Sequence, residues 1–331
     1  MRIGITYDLR EDYGIARDSH VFADFCHPDE IGYIADGVRA NGYEPVMIGN
    51  MYRLNERIKS GDVGCDMVLV FDEGISSRNR EIMVPALLEL NKIPYVGSDA
   101  YCMGLSQNKY HTKLVCEALG IRCPKGVYLP YGDTEVAFAS AKELLAAAGL
   151  AYPLVVKPNE EGYSMGVFLV RTDEELEQAM EYNFKNYHEG VLIEEYIAGM
   201  ELYAPMVGTG DEAYMLGVGV CRYEDGSEID IFSLEDKCFR PLRDEIPDLP
   251  DSVTERIRHD SLLLYRHLGC RDFGRCDYKL TADGTPVMIE INPRPGMTQN
   301  GPYENCARAV GKTYAGVMGE IINSARKRYH I

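Results

Sequence analysis

The chain has 331 residues, 46% hydrophobic and 26% charged, enough for two or three compact units rather than one core. Its 34 basic residues stand against 52 acidic ones, a net charge of −18, which argues against a dedicated nucleic-acid binder. No apolar run is long enough to span a bilayer, no signal-peptide layout opens the chain, and the ten cysteines form no C-x-x-C pair. The expectation is a cytoplasmic protein with reduced thiols and with neither nucleic acid nor membrane as partner.

Taken in order, Arg2–Tyr7 reads as a strand, Ile31–Ala40 as a helix stopped by Gly42, and Pro45–Ile48 as a second strand. Asp66–Phe71 is a third, fully apolar strand, Arg80–Leu90 a helix, and Pro94–Gly97 a short strand. Near-continuous apolar strands alternating with helices predict a parallel, doubly wound sheet, whose ligands bind at the carboxyl ends of the strands. The loops Tyr7–Asp18 and Asp72–Arg80 are therefore singled out. A second unit begins near Asp99, with helices predicted over Asn108–Leu119 and Asp133–Ala148. A buried strand then ends in Lys157-Pro158, and the glycine-bounded loop Asn159–Gly166 leads into a returning strand, Val167–Val170. A flexible tip of this kind can close on phosphate through backbone N–H groups, or be an ordinary exposed turn.

A third unit opens with Val191–Ile197 and continues as strands over Ala204–Gly208, Ala213–Cys221 and Ile229–Phe232. After a helix over Val253–Leu268 come two strand-like runs, Phe273–Leu280 and Pro286–Ile291, joined by a turn at Thr281–Thr285. Period-two geometry puts Arg275 and Asp277 on one face of the first run, and Glu290 and Asn292 on one face of the second. Three hard oxygen ligands beside a guanidinium suit Mg²⁺ held against phosphate, while an edge hairpin with a solvated polar face is equally open at this stage. One amphipathic helix, Arg308–Arg328, is predicted to close the chain, with Val310, Tyr314, Val317 and Ile321 on its apolar stripe. Arg326-Lys327-Arg328 would cap it. The Walker-like string Gly311-Lys312-Thr313 lacks its first glycine and falls within that helix, so it reads as structural.

In order and local setting, several segments together resemble the ATP-grasp superfamily, most closely its D-alanine–D-alanine ligase branch, from about Ile93 onward. They are I-P-Y-V-G-S (93–98), L-S-Q-N-K (105–109), L-V-V-K-P (154–158), E-G-Y-S-M-G (161–166), V-L-I-E-E-Y-I (191–197), G-R-C-D (274–277) and I-E-I-N-P-R-P-G-M-T (289–298). The resemblance implies an α/β protein, α+β in the ATP-grasp part, with an N-terminal parallel α/β domain (1–98), a small subdomain (99–186) and a C-terminal subdomain with the metal site (187–331). It implies a carboxylate–amine ligase that uses ATP and two Mg²⁺ (Mn²⁺ as a substitute), works through an acyl phosphate, and forms a homodimer by family analogy. Lys109 and Lys157 would contact the α- and β-phosphates, with Ser164 in the loop over them; Glu194, Glu195, Tyr196 and Ile197 would hold adenine and Glu201 the ribose. Lys237 would reach the γ-phosphate, Asp277, Glu290 and Asn292 would hold the metals, and Arg275 would stabilise the oxyanion.

The departures fall on the substrate side. The family's glycine-pair loop after the first strand is replaced by Thr6–Tyr13, and its acidic loop after the third strand by Asp72–Arg80, which brings Glu73, Arg78 and Arg80. Gly301 stands where the family's carboxylate-binding serine would be, Tyr163 replaces a loop serine, and Cys238 replaces the tyrosine after the lid lysine. The expectation is an altered substrate pair of carboxylate and amine, an amino acid or small diacid, with an extra anionic group met by Arg78 or Arg80 unless these salt-bridge Glu73 or Glu81 instead. The alternatives are a true D-alanine–D-alanine ligase and a non-catalytic ATP-binding protein on the same scaffold.

Overall fold

The computed structural model describes residues 1–16, 22–75, 78–227, 229, 231 and 233–331, with the backbone alone at 237–239. The first layer is built from β1 (Arg2–Tyr7), α1 (Pro28–Ala40), β2 (Glu44–Gly49), α2 (Met51–Lys59), β3 (Met67–Phe71), α3 (Met83–Leu90) and β4 (Tyr95–Val96). Its four strands are parallel in the order β2-β1-β3-β4. All five residues of β3 are buried, as a strand covered on both faces requires. One face of the sheet packs on α2 and α3 through Leu54, Val84 and Leu88, the other on α1 and the chain's last helix through Ile34, Ile321 and Ile322. The strand order reverses between β1 and β3, so the loops after Tyr7 and Phe71 meet at the switch point, where α/β sheets bind ligands.

The chain continues through α4 (Ala100–Gln107), α5 (Lys109–Ala118), β5 (Gly126–Leu129), α6 (Thr134–Ala148), β6 (Leu154–Pro158), β7 (Phe168–Val170), α7 (Asp173–Tyr187) and β8 (Val191–Glu195). These strands form an antiparallel sheet, β5-β8-β6-β7, with α6 and α7 on one face around Leu145, Val156 and Met180. Because β8 completes this sheet, the passage to the third layer falls at Tyr196–Gly199. Gly199 has φ +146°, and a Cβ there would lie 2.1 Å from the Leu280 carbonyl oxygen, so only glycine lets the chain turn so close to the next sheet.

The third layer comprises β9 (Met200–Val207), β10 (Tyr214–Met215), β11 (Gly219–Tyr223), α8 (Leu234–Phe239), β12 (Leu242–Glu245), α9 (Asp251–His267), β13 (Phe273–Leu280), β14 (Pro286–Asn292), α10 (Pro302–Ala309) and α11 (Tyr314–Tyr329). Its sheet runs β12-β11-β9-β13-β14, with β10 beside β9. No helix of the described residues is long and apolar enough to cross a membrane, and the nine described cysteines are free thiols.

Several expectations need correction. The closing helix is two helices, not one: Gly311 adopts φ +73° between them, Thr313 caps α11 by accepting from the Gly316 N–H, and Val310 is 52% exposed rather than on an apolar stripe. Lys312 pairs with Glu320 at 2.8 Å, outside any helix. The strand read over Ala213–Cys221 is broken at Leu216–Val218, Ile229–Phe232 falls partly outside the described residues, and Arg17, Asp18, Ser76 and Ser77 of the singled-out loops fall outside them. Arg328 does not cap α11: its guanidinium pairs with the fully buried Asp272 at 2.7 Å and donates to the Tyr95 carbonyl.

Candidate active site

The hairpin β13–β14 sets out the face that carries the chemistry. Arg275 lies opposite Asn292 and Asp277 opposite Glu290, with a bulge beyond Asp277 that leaves Ile289 as the extra residue. Directly opposed residues of an antiparallel pair share a face, so the four side chains point together. The bulge lets Met288 return to the core with Tyr278 while Glu290 stays on the cleft side, a common use of bulges beside active sites. On the neighbouring β9, Tyr203 lies opposite Asp277 and Glu201 opposite Lys279, whose ammonium is 3.3 Å from the Glu201 carboxylate.

This face is the floor of a cleft of about 580 Å³ between the second and third sheets and the edge of the first. Lys109, Lys157, Ser164, Glu194, Glu195, Tyr196, Ile197, Glu201, Arg275, Asp277, Glu290 and Asn292 all line it, and so does Glu73. Residues separated by most of the chain are thereby brought to one cavity. The Lys237 side chain lies outside the described residues. Arg78 is an exposed side chain 3.9 Å from Glu160, and Gly301 caps α10 beside Thr298 and Pro302, which line the cleft. Arg80 is buried and sits behind the wall, 2.6 Å from Asp24, 3.3 Å from Glu161 and 3.9 Å from Glu73. Of the two readings given for that arginine, the geometry takes the salt bridges: three carboxylates already answer its charge.

The lysines form a positive corner. Glu194, 3% exposed, is held at 2.5 Å by Lys157 and at 2.8 Å by Lys113, so one carboxylate sits between two ammonium groups. Burial alone would raise the Glu194 pKa, but Lys113 and Lys157 outweigh it and keep the carboxyl below its ordinary value. The group carries a net charge of +1 in a dry setting, which invites an anion. Glu194 thus orients the two lysines while itself lining the cleft. At the hinge, the Glu195 N–H donates to the Lys125 carbonyl and the Tyr196 N–H to the Pro153 carbonyl. Lys109, at the N-terminus of α5, donates to the Glu161 carbonyl and lies 3.8 Å from Glu290, joining the glycine-bounded loop to the acidic face. In that loop Tyr163 and Ser164 adopt φ +55° and +62°, an unusual pair of left-handed non-glycine residues.

Asp277 and Glu290 offer hard carboxylate oxygens on one face. The Asn292 oxygen accepts from the Arg294 N–H at 3.0 Å and keeps a second lone pair. Arg275 grips Asp277 through two hydrogen bonds of 2.7 and 2.8 Å. Two carboxylates and an amide beside lysines suit Mg²⁺ bridged to phosphate, although among the described residues no three His, Cys, Asp or Glu are gathered as a metal cluster.

Three residues of the cleft wall, Asp24, Glu30 and Arg294, and Lys113 behind it went unread in the sequence. Lys113 could have been found, since it is four residues after Lys109 and so on the same face of α5. Arg294, inside the quoted motif, is buried and pairs with Glu73 at 2.5 Å, tying the loop after β14 to the loop after β3. Asp24 and Glu30 had no local signal; Glu30 accepts from the Met297 N–H at 2.7 Å.

Known proteins share this architecture. The family model for the D-ala D-ala ligase C-terminus matches residues 116–323, more than half of the chain. A D-alanine–D-alanine ligase of Halalkalibacterium halodurans is 30% identical over 301 residues, which are 89% of this chain and 92% of the relative. The crystal structure of the D-alanine–D-alanine ligase from Bacillus anthracis superposes with a TM-score of 0.77 at 26% identity, covering 100% of this chain and 99% of that one. The same organism's ligase complexed with ATP gives 0.75 with the same identity and coverage. The fold and cleft are those of an ATP-grasp enzyme, an ATP-dependent ligase that forms carbon–nitrogen bonds. The chain belongs to the D-alanine–D-alanine ligase family.

Proposed function

We propose that the cleft joins a carboxylate to an amine through an acyl phosphate, with an amino acid as the carboxylate substrate. The observation that carries this reading is the convergence of Arg275, Asp277, Glu290 and Asn292 on one face, with Lys109 3.8 Å from Glu290. ATP would lie with its phosphates toward Lys109 and Lys157, its adenine at Glu195–Ile197 and its ribose at Glu201. Asp277, Glu290 and Asn292 would hold Mg²⁺, which when bound neutralises phosphate charge and aligns the γ-phosphoryl group for transfer. Arg275 stabilises the oxyanion that forms as the amine attacks. The loop 161–166 excludes water, without which an acyl phosphate would hydrolyse.

Arg80 gives no support to a diacid substrate, because Asp24, Glu73 and Glu161 already surround it. A second reading, D-alanine as both substrates, is favoured by the name of the relative that is 30% identical over 92% of its own length. ADP release from ATP and Mg²⁺, measured with D-alanine, other amino acids and small diacids, separates the two. The expected result is turnover with an amino acid other than D-alanine. D-Alanyl-D-alanine as the preferred product would replace the altered-substrate reading, and no ADP release with any pair would remove the ligase reading.

A further inference from the structure

One end of the cleft is lined by groups that neither phosphate nor metal binding uses. Asp24, Glu30, Glu73, Glu81 and Glu161 face it, with Arg294 and Gln107 among them. Arg80 holds Asp24 and Glu161, while Arg294 holds Glu73 at 2.5 Å and reaches Glu81 at 3.6 Å. Glu30 is held by the Met297 N–H. Among the described residues, five carboxyl groups meet two guanidinium groups here, with the Lys109 ammonium donating to the Glu161 carbonyl beside them, so acidic groups outnumber cations. These acids are not solvated: the side chains of Asp24, Glu73 and Glu81 are 7, 14 and 14% exposed. Burial pushes the pKa of Glu30, Glu73 and Glu161 upward, as it does where carboxylates lack enough counter-charge.

A second observation is independent of the charge count. Gln107, 7% exposed, donates its amide N–H to Glu81 at 3.3 Å, yet its carbonyl oxygen accepts from no group among the described residues. Among the described residues, neither oxygen of Asp24 accepts an aligned hydrogen bond, despite its contact with Arg80. A buried acceptor without a donor is unfavourable, and here such acceptors sit beside surplus carboxylates. Both deficits are met by N–H donors that carry positive charge.

We infer that this end of the cleft takes a substrate with a second cationic group, a diamino acid, bound with its ammonium groups among Asp24, Glu30, Glu81 and Gln107. A diamino acid brings a second cationic donor to these acidic groups and to the acceptors of Gln107 and Asp24, which a substrate with one ammonium does not. The inference rests on the ligase reading above and narrows its substrate.

The test is calorimetric titration of the full chain, with Mg²⁺ and the non-hydrolysable nucleotide AMP-PNP, using both enantiomers of lysine and ornithine, the neutral isostere norleucine, and glutamate. One diamino acid should bind roughly 100-fold more tightly than norleucine, with glutamate weaker still, as loss of a charge-assisted contact predicts. Equal affinity for norleucine, or no binding by any diamino acid, overturns the inference. Glu30→Gln keeps an acceptor for the Met297 N–H and should weaken diamino acid binding about tenfold with AMP-PNP affinity unchanged. Gln107→Met should weaken it too, and unchanged affinity in both variants also overturns the inference. The same titrations without nucleotide separate the two readings. Failure of AMP-PNP to bind would sink the ATP-dependent reading, while diamino acid binding would still uphold the pocket.

Discussion

The Lys113 ammonium lies 2.8 Å from one oxygen of Glu194, while Lys157 holds the other oxygen at 2.5 Å. The Lys113 ammonium is buried and lies behind the cleft, so its effect on nucleotide passes through Glu194. Removing it leaves a neutral pair in place of a triad with net charge +1. Lys113→Met should weaken ATP binding about tenfold by calorimetry and destabilise the fold by roughly 3 kcal/mol in denaturant, the cost of breaking a buried ion pair. Unchanged ATP affinity would confine Lys113 to a structural role.

Asp272 ties three parts of the molecule together. It accepts from the Gly97 N–H, from Thr209 and Ser324, and from both terminal nitrogens of Arg328. Arg328→Ala should destabilise by about 3–5 kcal/mol in denaturant unfolding, because it strands a fully buried carboxylate. Asp272→Asn combined with Arg328→Ala should cost much less than the two single changes added together, as expected of coupled partners.

Glu189 gives a pH signature. Burial lifts its pKa to about 8; the Glu160 N–H pulls it down, and the Glu160 and Glu161 carboxylates push it up. A carboxyl whose folded pKa is raised contributes stability below its unfolded pKa, and loses that contribution as pH rises through the folded value. The wild type should therefore lose stability relative to Glu189→Gln between about pH 5 and 8. Tm measured across this range should show the variant the more stable of the two at pH 9. Parallel curves would mean that Glu189 ionises as freely in the fold as outside it.

Gly166 is required by space as well as conformation. It adopts φ +69°, and a Cβ there would lie 2.2 Å from the Asn183 oxygen and 2.8 Å from Pro158. Gly166→Ala should displace the loop 161–166, raising KM for ATP several-fold and costing about 1–3 kcal/mol of stability. A variant with normal KM and a lowered Tm would separate the loop from nucleotide binding.

What the sequence disclosed follows from how each residue is positioned. Arg275, Asp277, Glu290 and Asn292 were readable because strand alternation is local, and the bulge at Ile289 left that face intact. The parallel first sheet was readable from its fully apolar strands. The closing helix was read from Arg308, so the last residues of α10 were run into α11 across the left-handed Gly311 and the Thr313 cap that separate them. Arg80 looked like an anion binder, and Arg294 went unread, because their partners, Asp24 and Glu73, lie on other elements and are brought up only by the fold. Lys157 and Glu194 were both read as nucleotide contacts, and their pairing to one another appears only when β6 and β8 are set side by side.

The central claim, activation of a carboxylate by phosphoryl transfer, is most directly tested by isotope transfer. The chain is incubated with ATP, Mg²⁺, an amine and the accepted amino acid carrying ¹⁸O in its carboxylate, and the released phosphate is analysed by mass spectrometry. The account predicts one ¹⁸O in each phosphate released with product, and loss of both ADP and labelled phosphate in Glu290→Gln. Product formed alongside unlabelled phosphate would contradict it.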